Sequence, residues 1–176
     1  MTLLPAHRIG LSIAALIFAA DQALKWLVTG PLALGEIGQS LTLLPIFNFT
    51  YAENNGVSLN LFSTDSELGR WLLVALTATI AIVVTVWMLR ERHRADIAAL
   101  GLVLGGALGN ILDRARLGFV VDYADLHFGE WRPFLIFNLA DSAITFGILI
   151  ILARSFLSRE KRADPATQPA SDAAEI

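Results

Sequence analysis

Aspartates are the residues of this chain with the clearest chemical potential, because several of them lie beside long apolar segments. Four aspartates, two asparagines and one arginine stand out between positions 110 and 141: Asn110, Asp113, Arg114, Asp122, Asp125, Asn138 and Asp141. Two carboxylates held close together do not both ionise easily, so such a pair retains one proton. The pair can activate a water as general base and protonate a carbonyl oxygen or a leaving amine as general acid. The pattern therefore points to hydrolysis of an amide bond.

Other catalytic groups are scarce in the chain. It has no cysteine, which excludes disulfides, thiolate metal sites and a thiol nucleophile. His7, His93 and His127 are scattered, and Ser142 has no base close by in the sequence, so its hydroxyl is expected to lie at the start of a helix. We therefore expect neither a metal nor a cofactor.

The residue types alone do not select the two reacting aspartates. Asp113 is followed directly by Arg114 and could form a structural ion pair with it, whereas Asp125 could be a solvated loop charge. Ion-coupled transporters also gather carboxylates, although usually near the middle of the bilayer. A small transporter that uses the aspartates as a proton relay is therefore an alternative, as is a non-enzymatic assembly protein.

The elements that must position these residues are long apolar segments. The chain of 176 residues is 55% apolar and only 16% charged, with a mean hydropathy of +0.61, whereas a soluble domain is usually about a quarter charged. A helix of about 20 apolar residues crosses the hydrocarbon core. Four segments approach that length: residues 9–28, 71–89, 97–112 and 137–157. We interpret the first as a retained span and not as a cleaved signal peptide, because apolar residues resume after Asp21.

The distribution of basic residues predicts the orientation of these spans. Arginines occur in the connection 90–94 and beside both ends of the chain, whereas residues 30–69 contain no Lys or Arg. Both termini are therefore expected to be cytoplasmic, with residues 30–69 and 114–135 outside. Because consecutive helices are antiparallel, the aspartates at the end of the third span and the start of the fourth meet at that outer face. Three arginines break the charge rule there and are expected to have local roles: Arg114, Arg116 and Arg132.

Two of the spans contain residues that an apolar surrounding does not explain. A charge at the bilayer centre costs about 2.5 to 3.5 kcal/mol on insertion scales, so it needs a partner. Asp21 and Lys25 lie four residues apart on one helix face and can neutralise each other, and Asp21 can also reach the outer polar cluster. In the third span, Gly101, Gly105 and Gly109 allow a neighbouring backbone to approach closely.

The outward segments are expected to be structured. Aromatic and polar residues alternate in residues 47–51, the pair Asn55 and Gly56 favours a two-residue turn, and residues 57–62 can return as a strand. Residues 124–134 mix aromatic and charged side chains and indicate a short interfacial helix. The predicted fold is an all-α membrane protein, a bundle of four transmembrane helices with a small extracytoplasmic β-cradle and a short interfacial helix. Its single domain is expected to cover residues 1–157, followed by a disordered cytoplasmic tail at 158–176.

The sequence resembles the bacterial lipoprotein signal peptidases, also called signal peptidase II, over residues 9–157. Five blocks typical of that family occur in order: Asp21-Gln22 with Lys25, Asn54 with Gly56, Gly109-Asn110 with Asp113-Arg114, Val120-Val121-Asp122, and Phe137-Asn138 with Ala140-Asp141-Ser142. Each block is short, but their order on four apolar segments is specific. One departure is the run Val57-Ser58-Leu59 after Gly56, where the family more often has Ala-Phe.

The resemblance implies an intramembrane aspartic endopeptidase of the bacterial inner membrane, with Asp122 and Asp141 as its catalytic pair. Its substrates would be diacylglyceryl-modified prolipoproteins, cut just before the lipidated cysteine, with membrane lipids around the site and no nucleic-acid partner. Other residues match positions that support the site or bind substrate: Asp21, Lys25, Asn54, Gly56, Asn110, Asp113, Arg114, Asn138 and Ala140. We expect a monomer, because the active site needs no second chain.

Overall fold

The computed structural model describes residues 5–56 and 67–163, with side chains described as far as residue 157. Within those ranges the helices are α1 (Pro5–Thr29), α2 (Glu67–Arg90), α3 (Arg94–Leu117) and α4 (Leu139–Ala163). The strands of the same ranges are β1 (Ser40–Leu44), β2 (Phe47–Asn54) and β3 (Val120–Leu126).

Each of the four helices is long and apolar enough to cross a membrane, which confirms the predicted spans. Large apolar side chains such as Leu76, Ile82 and Phe146 are exposed on their outer faces, where lipid would surround them. The chain is therefore a multi-pass membrane protein. α4 continues to Ala163, so the first residues of the predicted tail are helical, and residues 164–176 lie outside the described residues.

α3 occupies the centre of the bundle. It packs against α1, α2 and α4. In its most apolar stretch 56% of the residues are buried, against 17 to 22% in the corresponding stretches of the other three helices. Glycines make these contacts close: a Cβ on Gly101 would lie 2.5 Å from the carbonyl oxygen of Gly10, and one on Gly105 would lie 2.6 Å from that of Ala14. The close backbone approach predicted from the glycine spacing is thus confirmed.

α3 also continues beyond its predicted end at residue 112 and carries Arg114 in its last turn. Gly118 ends the helix with a left-handed φ of 95° and donates its N–H to the carbonyl oxygen of Arg114 at 3.2 Å. Arg70 of α2 donates to that same oxygen at 2.8 Å and to the carbonyl oxygen of the next residue. These bonds satisfy terminal carbonyl groups, so the helix extends past the apolar residues from which its length was predicted.

The strands form one antiparallel sheet in the order β1–β2–β3. The register pairs Ser40 of β1 with Thr50 of β2, and Asn54 of β2 with Val120 of β3. One face of the sheet packs on Val28 near the end of α1, in a buried apolar cluster. The sheet therefore lies at the end of the bundle where α1 and α3 finish and α4 begins, and the predicted β-structure is confirmed.

The strand pairing and the turn after β2 differ from the prediction. Residues 57–62, expected to return as a strand, lie outside the described residues, and the described partners of β2 are β1 and β3. Of the predicted turn pair, Gly56 has a positive φ of 82° but Asn55 does not. The turn is instead closed by the side chain of Asn54, which accepts the N–H of Gly56 at 2.9 Å.

The prediction of an interfacial helix in residues 124–134 is wrong. The first residues of this segment complete β3, and Phe128 then pairs with Trp131 in an isolated antiparallel bridge. Gly129 turns the chain between them with a φ of 66°. A left-handed glycine and the nearby Pro133 both oppose a helix. The aromatic and charged residues of this segment therefore form a tight turn instead.

Candidate active site

Asp122 and Asp141 come from two elements that the chain brings side by side. Asp122 lies on β3 and Asp141 in the first turn of α4. Phe137 forms a bridge with Ala124 of β3: its N–H donates to the carbonyl oxygen of Ala124 at 3.1 Å, and its own carbonyl oxygen accepts the N–H of Ala124 at 2.7 Å. This pairing brings the start of α4 against the strand that carries Asp122.

Asn138 contacts both carboxylates. Its Nδ2 donates to Oδ1 of Asp122 at 2.6 Å, and its backbone N–H donates to Oδ2 of Asp141 at 3.3 Å. Its Oδ1 accepts the backbone N–H of Asp141 at 2.9 Å. Asn138 is thus the N-cap of α4, and Asp141 occupies the position three residues later that returns a hydrogen bond to the cap.

Two further asparagines complete the hydrogen bonds to the pair. Asn54 of β2 donates from Nδ2 to Oδ2 of Asp122 at 3.0 Å. Asn110 of α3 donates from Nδ2 to Oδ1 of Asp141 at 2.8 Å. Each oxygen of the two carboxylates therefore accepts an N–H from a neutral amide.

Asp122 is 2% exposed. Burial and the nearby charge of Asp141 raise the pKa of Asp122 to about 6, while hydrogen bonds from Asn54 and Asn138 and the charge of Lys25 oppose the rise. A buried carboxyl beside a like charge holds its proton at a pH where an exposed aspartate has lost it. Asp122 is therefore equipped to share a proton with Asp141 in mildly acidic solution.

The first N–H groups of α4 are bound by other elements. The N–H of Leu139 donates to the hydroxyl of Tyr123 at 3.2 Å, and the N–H of Ala140 donates to Oδ1 of Asp21 at 3.1 Å. A helix leaves its first N–H groups without partners in its own backbone. β3 and α1 supply those partners here, and so hold the turn that carries Asp141.

Lys25 lies at the centre of a buried ion network between α1 and α3. Its Nζ is 2.8 Å from Oδ2 of Asp21 and 2.7 Å from Oδ2 of Asp113, and it donates to Oδ1 of Asn110 at 3.2 Å. Asp113 also accepts the backbone N–H of Val121 at 3.2 Å. In the part of the chain that the structure describes, no three His, Asp or Glu side chains are arranged as metal ligands.

A cleft of about 1010 Å³ opens beside Asp122. It is lined by residues 52–56 at the end of β2 and just beyond it, by residues 132–136 before α4, and by Arg114. A Cβ on Gly56 would lie 3.3 Å from the guanidinium of Arg114, so a larger residue there would press on it. Arg114 lines the cleft, and its buried Nε has no hydrogen-bond partner among the described residues.

A smaller and mainly apolar pocket of about 290 Å³ reaches Asp141. Its walls include Phe137 and Phe146, and it shares Phe134 and Leu135 with the larger cleft. The two carboxylates therefore lie where a polar cleft meets an apolar pocket.

Asp125 belongs to a separate ion pair at the rim of the cleft. It is 2% exposed and accepts hydrogen bonds from Nε of Arg132 at 2.9 Å and from the hydroxyl of Thr50 at 3.1 Å. Burial opposes ionisation, but the bonds from Arg132 and Thr50 outweigh it and hold the pKa of Asp125 below its ordinary value. Asp125 is thus a carboxylate that orients Arg132 and does not share a proton.

Comparison with known proteins identifies the family. The family described as signal peptidase (SPase) II matches residues 13–157. The chain belongs to the signal peptidase II family. Among its relatives, a lipoprotein signal peptidase of Sphingopyxis alaskensis is 50% identical over 168 residues, 96% of each chain. Another from Rhizorhabdus wittichii is 48% identical and covers 89% of this chain and 91% of its own. Membership of the signal peptidase II family makes the protein a membrane-embedded peptidase.

Solved structures agree with this membership. A bacterial membrane enzyme determined by the in meso method at 2.3 Å resolution has a TM-score of 0.73 and 27% identity, covering 89% of this chain and 92% of its own. A second bacterial membrane enzyme, at 1.9 Å resolution, has a TM-score of 0.71 and 28% identity over 83% of this chain and 91% of its own. The four-helix bundle with its small sheet is therefore a fold that these bacterial membrane enzymes share.

The residues that the sequence assigned to a signal peptidase II site lie together. Nine form one connected hydrogen-bond network: Asp21, Lys25, Asn54, Asn110, Asp113, Asp122, Asn138, Ala140 and Asp141. Gly56 and Arg114 line the cleft beside it. Two interpretations are wrong: Asp113 pairs with Lys25 and not with its neighbour Arg114, and Asp125 is buried and paired instead of solvated.

The sequence interpretation did not assign a place in the site to Gln22 or Tyr123. Gln22 donates from Nε2 to Asp113 at 3.0 Å and to Asp21 at 3.2 Å, and so joins the ion network of this signal peptidase II family member. Tyr123 holds the first N–H of α4. Both residues stand inside or directly beside the family blocks, and that adjacency was the signal that could have indicated them.

Proposed function

We propose that this protein is an aspartic endopeptidase that removes signal peptides from diacylglyceryl-modified prolipoproteins. Asp122 and Asp141 form the catalytic pair, and the scissile bond precedes the lipidated cysteine. Family membership supports this substrate class, as do the relatives from Sphingopyxis alaskensis and Rhizorhabdus wittichii, both lipoprotein signal peptidases.

The observation that carries the proposal is the contact of Asn138 with both carboxylates, at 2.6 Å to Asp122 and 3.3 Å to Asp141. Two carboxylates that share a partner and repel each other's charge hold one proton between them. The raised pKa of Asp122, about 6, keeps that proton on the pair in mildly acidic solution, where an exposed aspartate is ionised. One ionised and one protonated carboxyl are the two groups that metal-free amide hydrolysis requires.

In the proposed reaction the ionised carboxylate takes a proton from a water, whose oxygen attacks the carbonyl carbon before the cysteine. The protonated carboxyl gives its proton to the carbonyl oxygen, which produces a neutral gem-diol. A proton then passes from the diol to one carboxylate while the other carboxyl protonates the nitrogen, and the C–N bond breaks. The signal peptide leaves with a new carboxyl group and the lipoprotein with a free amine, while the pair again holds one proton.

The surroundings of the pair suit a substrate that is partly peptide and partly lipid. The polar cleft beside Asp122 accepts the extended backbone, and the guanidinium of Arg114, which lines the cleft, can bind one of its carbonyl oxygens. The apolar pocket beside Asp141 accepts apolar groups of the substrate. Both lie at the ends of helices that cross the membrane, which is the depth of a lipid-anchored cysteine.

We place both termini in the cytoplasm and the active site at the outer face of the inner membrane. Arg90 and Arg94 lie at the end of the bundle opposite to Asp122 and Asp141. Positive residues favour the cytoplasmic side, so the catalytic pair is outside. A diacylglyceryl-cysteine in the outer leaflet would meet the pair there.

Cleavage of a purified diacylglyceryl-cysteine prolipoprotein by wild type, Asp122→Asn and Asp141→Asn tests the proposal. Wild type should cut before the cysteine without added metal, and each variant should lose about 100-fold or more in kcat, because each removes one proton-transfer group. Asp96→Asn is the matched control: it changes an aspartate of α3 that pairs with Arg154 at the other end of the bundle. Cleavage by either dyad variant at the rate of this control contradicts the assignment.

A further inference from the structure

The ion network around Lys25 takes no chemical part in the reaction proposed above. Lys25 is 4% exposed and lines a separate cavity of about 320 Å³ instead of the cleft beside Asp122. Removing three ionised groups from water is costly. The close glycine contacts, such as Gly105 against Ala14, already hold α1 against α3. The network is therefore not the sole contact between these two helices.

Each carboxylate of the network holds one half of the catalytic pair. Asp21 accepts the N–H of Ala140 at 3.1 Å, and Ala140 is the residue directly before Asp141. Asp113 accepts the N–H of Val121 at 3.2 Å. Val121 is likewise the residue directly before the second aspartate of the pair, so the two anchors are equivalent in position.

We propose that Lys25 is a positioning residue whose ammonium ties the carboxylate that holds Ala140 to the carboxylate that holds Val121, and thereby sets Asp141 relative to Asp122. The tie consists of the contacts of 2.8 and 2.7 Å made by its Nζ. This inference rests on the proposed function and adds the device that keeps the pair in register. A displacement of reacting groups by about 1 Å can cost about 100-fold in rate.

A third contact supports the same role. Lys25 donates to Oδ1 of Asn110 at 3.2 Å, and Nδ2 of Asn110 donates to Asp141 at 2.8 Å. Because the ammonium fixes the oxygen end of this amide, it also fixes which end donates to the carboxylate. Lys25 thus orients Asn110, which is a direct partner of Asp141, and also the backbone directly before each aspartate of the pair.

The first test is Lys25→Met, which keeps an apolar stem and removes the ammonium. We expect kcat to fall by about 100-fold with KM within a few-fold of wild type, because Lys25 lies outside the substrate cleft. Arg154→Met is the matched control, since it removes a cation from an α3–α4 ion pair far from the cleft, and it should retain wild-type kcat.

Lys25→Met leaves two buried carboxylates without their cation and could unfold for that reason alone. The triple variant Asp21→Asn, Lys25→Met, Asp113→Asn removes all three charges but keeps amide oxygens that can accept the N–H groups of Ala140 and Val121. We expect it to fold, with a thermal midpoint close to wild type, and still to show a kcat lowered by at least 10-fold. A folded triple variant with wild-type kcat overturns the proposal.

The pH profile of Lys25→Met separates positioning from simple loss of folded enzyme. The charged groups that surround Asp122 lie on four elements: Glu53 on β2, Asp21 and Lys25 on α1, Asp113 and Arg114 on α3, and Asp141 on α4. Loss of the cation makes ionisation of the pair harder, so the limb where activity falls with rising pH should move to higher pH. An unchanged profile with reduced kcat indicates a lysine that only supports the fold, and contradicts the proposal.

These outcomes are distinct from failure of the proposed function itself. If wild type does not cut the diacylglyceryl-cysteine prolipoprotein, the function is wrong. If wild type cuts it, Asp122→Asn does not, and the Lys25 variants match wild type in kcat and pH profile, only the positioning role is wrong.

Discussion

At the scale of single residues, the partners that the described residues offer the two carboxylates are amides and not cations. Asn54 and Asn138 donate to Asp122, while Asn110 and the backbone of Asn138 donate to Asp141. An amide orients a carboxylate without adding the positive charge that would drive off its proton. Lys25 acts from one contact further away, which leaves the pair able to hold a proton and still keeps its geometry fixed.

Asn54→Ala should move the pH profile of kcat/KM toward higher pH. The hydrogen bond from Asn54 favours the ionised form of Asp122 and so lowers its pKa, which burial and the charge of Asp141 raise to about 6. Without that donor the pKa rises, and the pair keeps its shared proton to a higher pH. The limb where activity is lost on raising the pH shifts accordingly, and it reports the pair as a whole.

The control for this shift is Ser40→Ala, which removes a hydrogen bond to Thr50 on the same sheet without touching Asp122. Ser40→Ala should lose activity over the same pH range as wild type when the pH is raised. A limb of Asn54→Ala that stays in place, or moves to lower pH, contradicts the assigned hydrogen bond.

At the scale of elements, the start of α4 is held by two other elements and by its own cap. Its successive N–H groups are bound by Tyr123 of β3, by Asp21 of α1 and by its own cap Asn138. A helix terminus held in this way cannot shift without breaking bonds to two neighbouring elements. Asp141 therefore stands on a rigid turn, as precise catalytic geometry requires.

Gly106→Ala should disturb that turn. A Cβ on Gly106 would overlap the carbonyl oxygen of Ala140 and lie 2.9 Å from Cγ1 of Ile144. Because the first contact is with backbone, α4 must move away, at a cost of about 1 to 3 kcal/mol. We expect a lower thermal unfolding midpoint in detergent and a kcat reduced by at least 10-fold.

Gly35→Ala is the matched substitution, since a Cβ there meets nothing within 4 Å. Its midpoint and kcat should equal those of wild type. A midpoint of Gly106→Ala that also equals wild type would show that α3 and α4 are less closely packed than their glycine contact requires.

At the scale of the whole molecule, the polar site lies at one end of an apolar bundle. The sheet, the cleft and the two aspartates proposed as the catalytic pair gather where α1 and α3 finish, and the short connection rich in arginine lies at the other end. Lipid excludes water along the helices, so water reaches the carboxylates from the sheet end. This arrangement suits hydrolysis at the edge of the membrane and not transfer of ions across it.

Single cysteines test the proposed orientation cleanly, because the chain has none of its own. Glu130 lies in the exposed turn before α4, and His93 lies in the connection between α2 and α3. Each is replaced by cysteine in a separate variant. A membrane-impermeant maleimide should label Glu130→Cys in intact spheroplasts, and His93→Cys only after the membrane is permeabilised. The reverse pattern would place the active site in the cytoplasm.

Much of the fold follows from local properties of the sequence, whereas the failures come from contacts that those properties do not indicate. The four spans depend on apolar length, which lipid imposes on any helix that crosses it. Asp125 was misread because its partner Arg132 becomes adjacent only through the turn at Gly129, which replaced the predicted helix. The end of α3 was missed because Arg70 and Gly118 cap it with bonds that apolar length does not indicate.

The sequence by itself determined the membrane class, the four spans and, through its resemblance to one family, which two aspartates to propose as the catalytic pair. Only the tertiary structure decided that Lys25 reaches both Asp21 and Asp113, and that these carboxylates hold the backbone before each aspartate of the pair. The physical reason is distance along the chain. Apolar length and helical spacing act over a few residues, whereas the bond from Ala140 to Asp21 joins residues 119 positions apart and depends on how closely three helices pack.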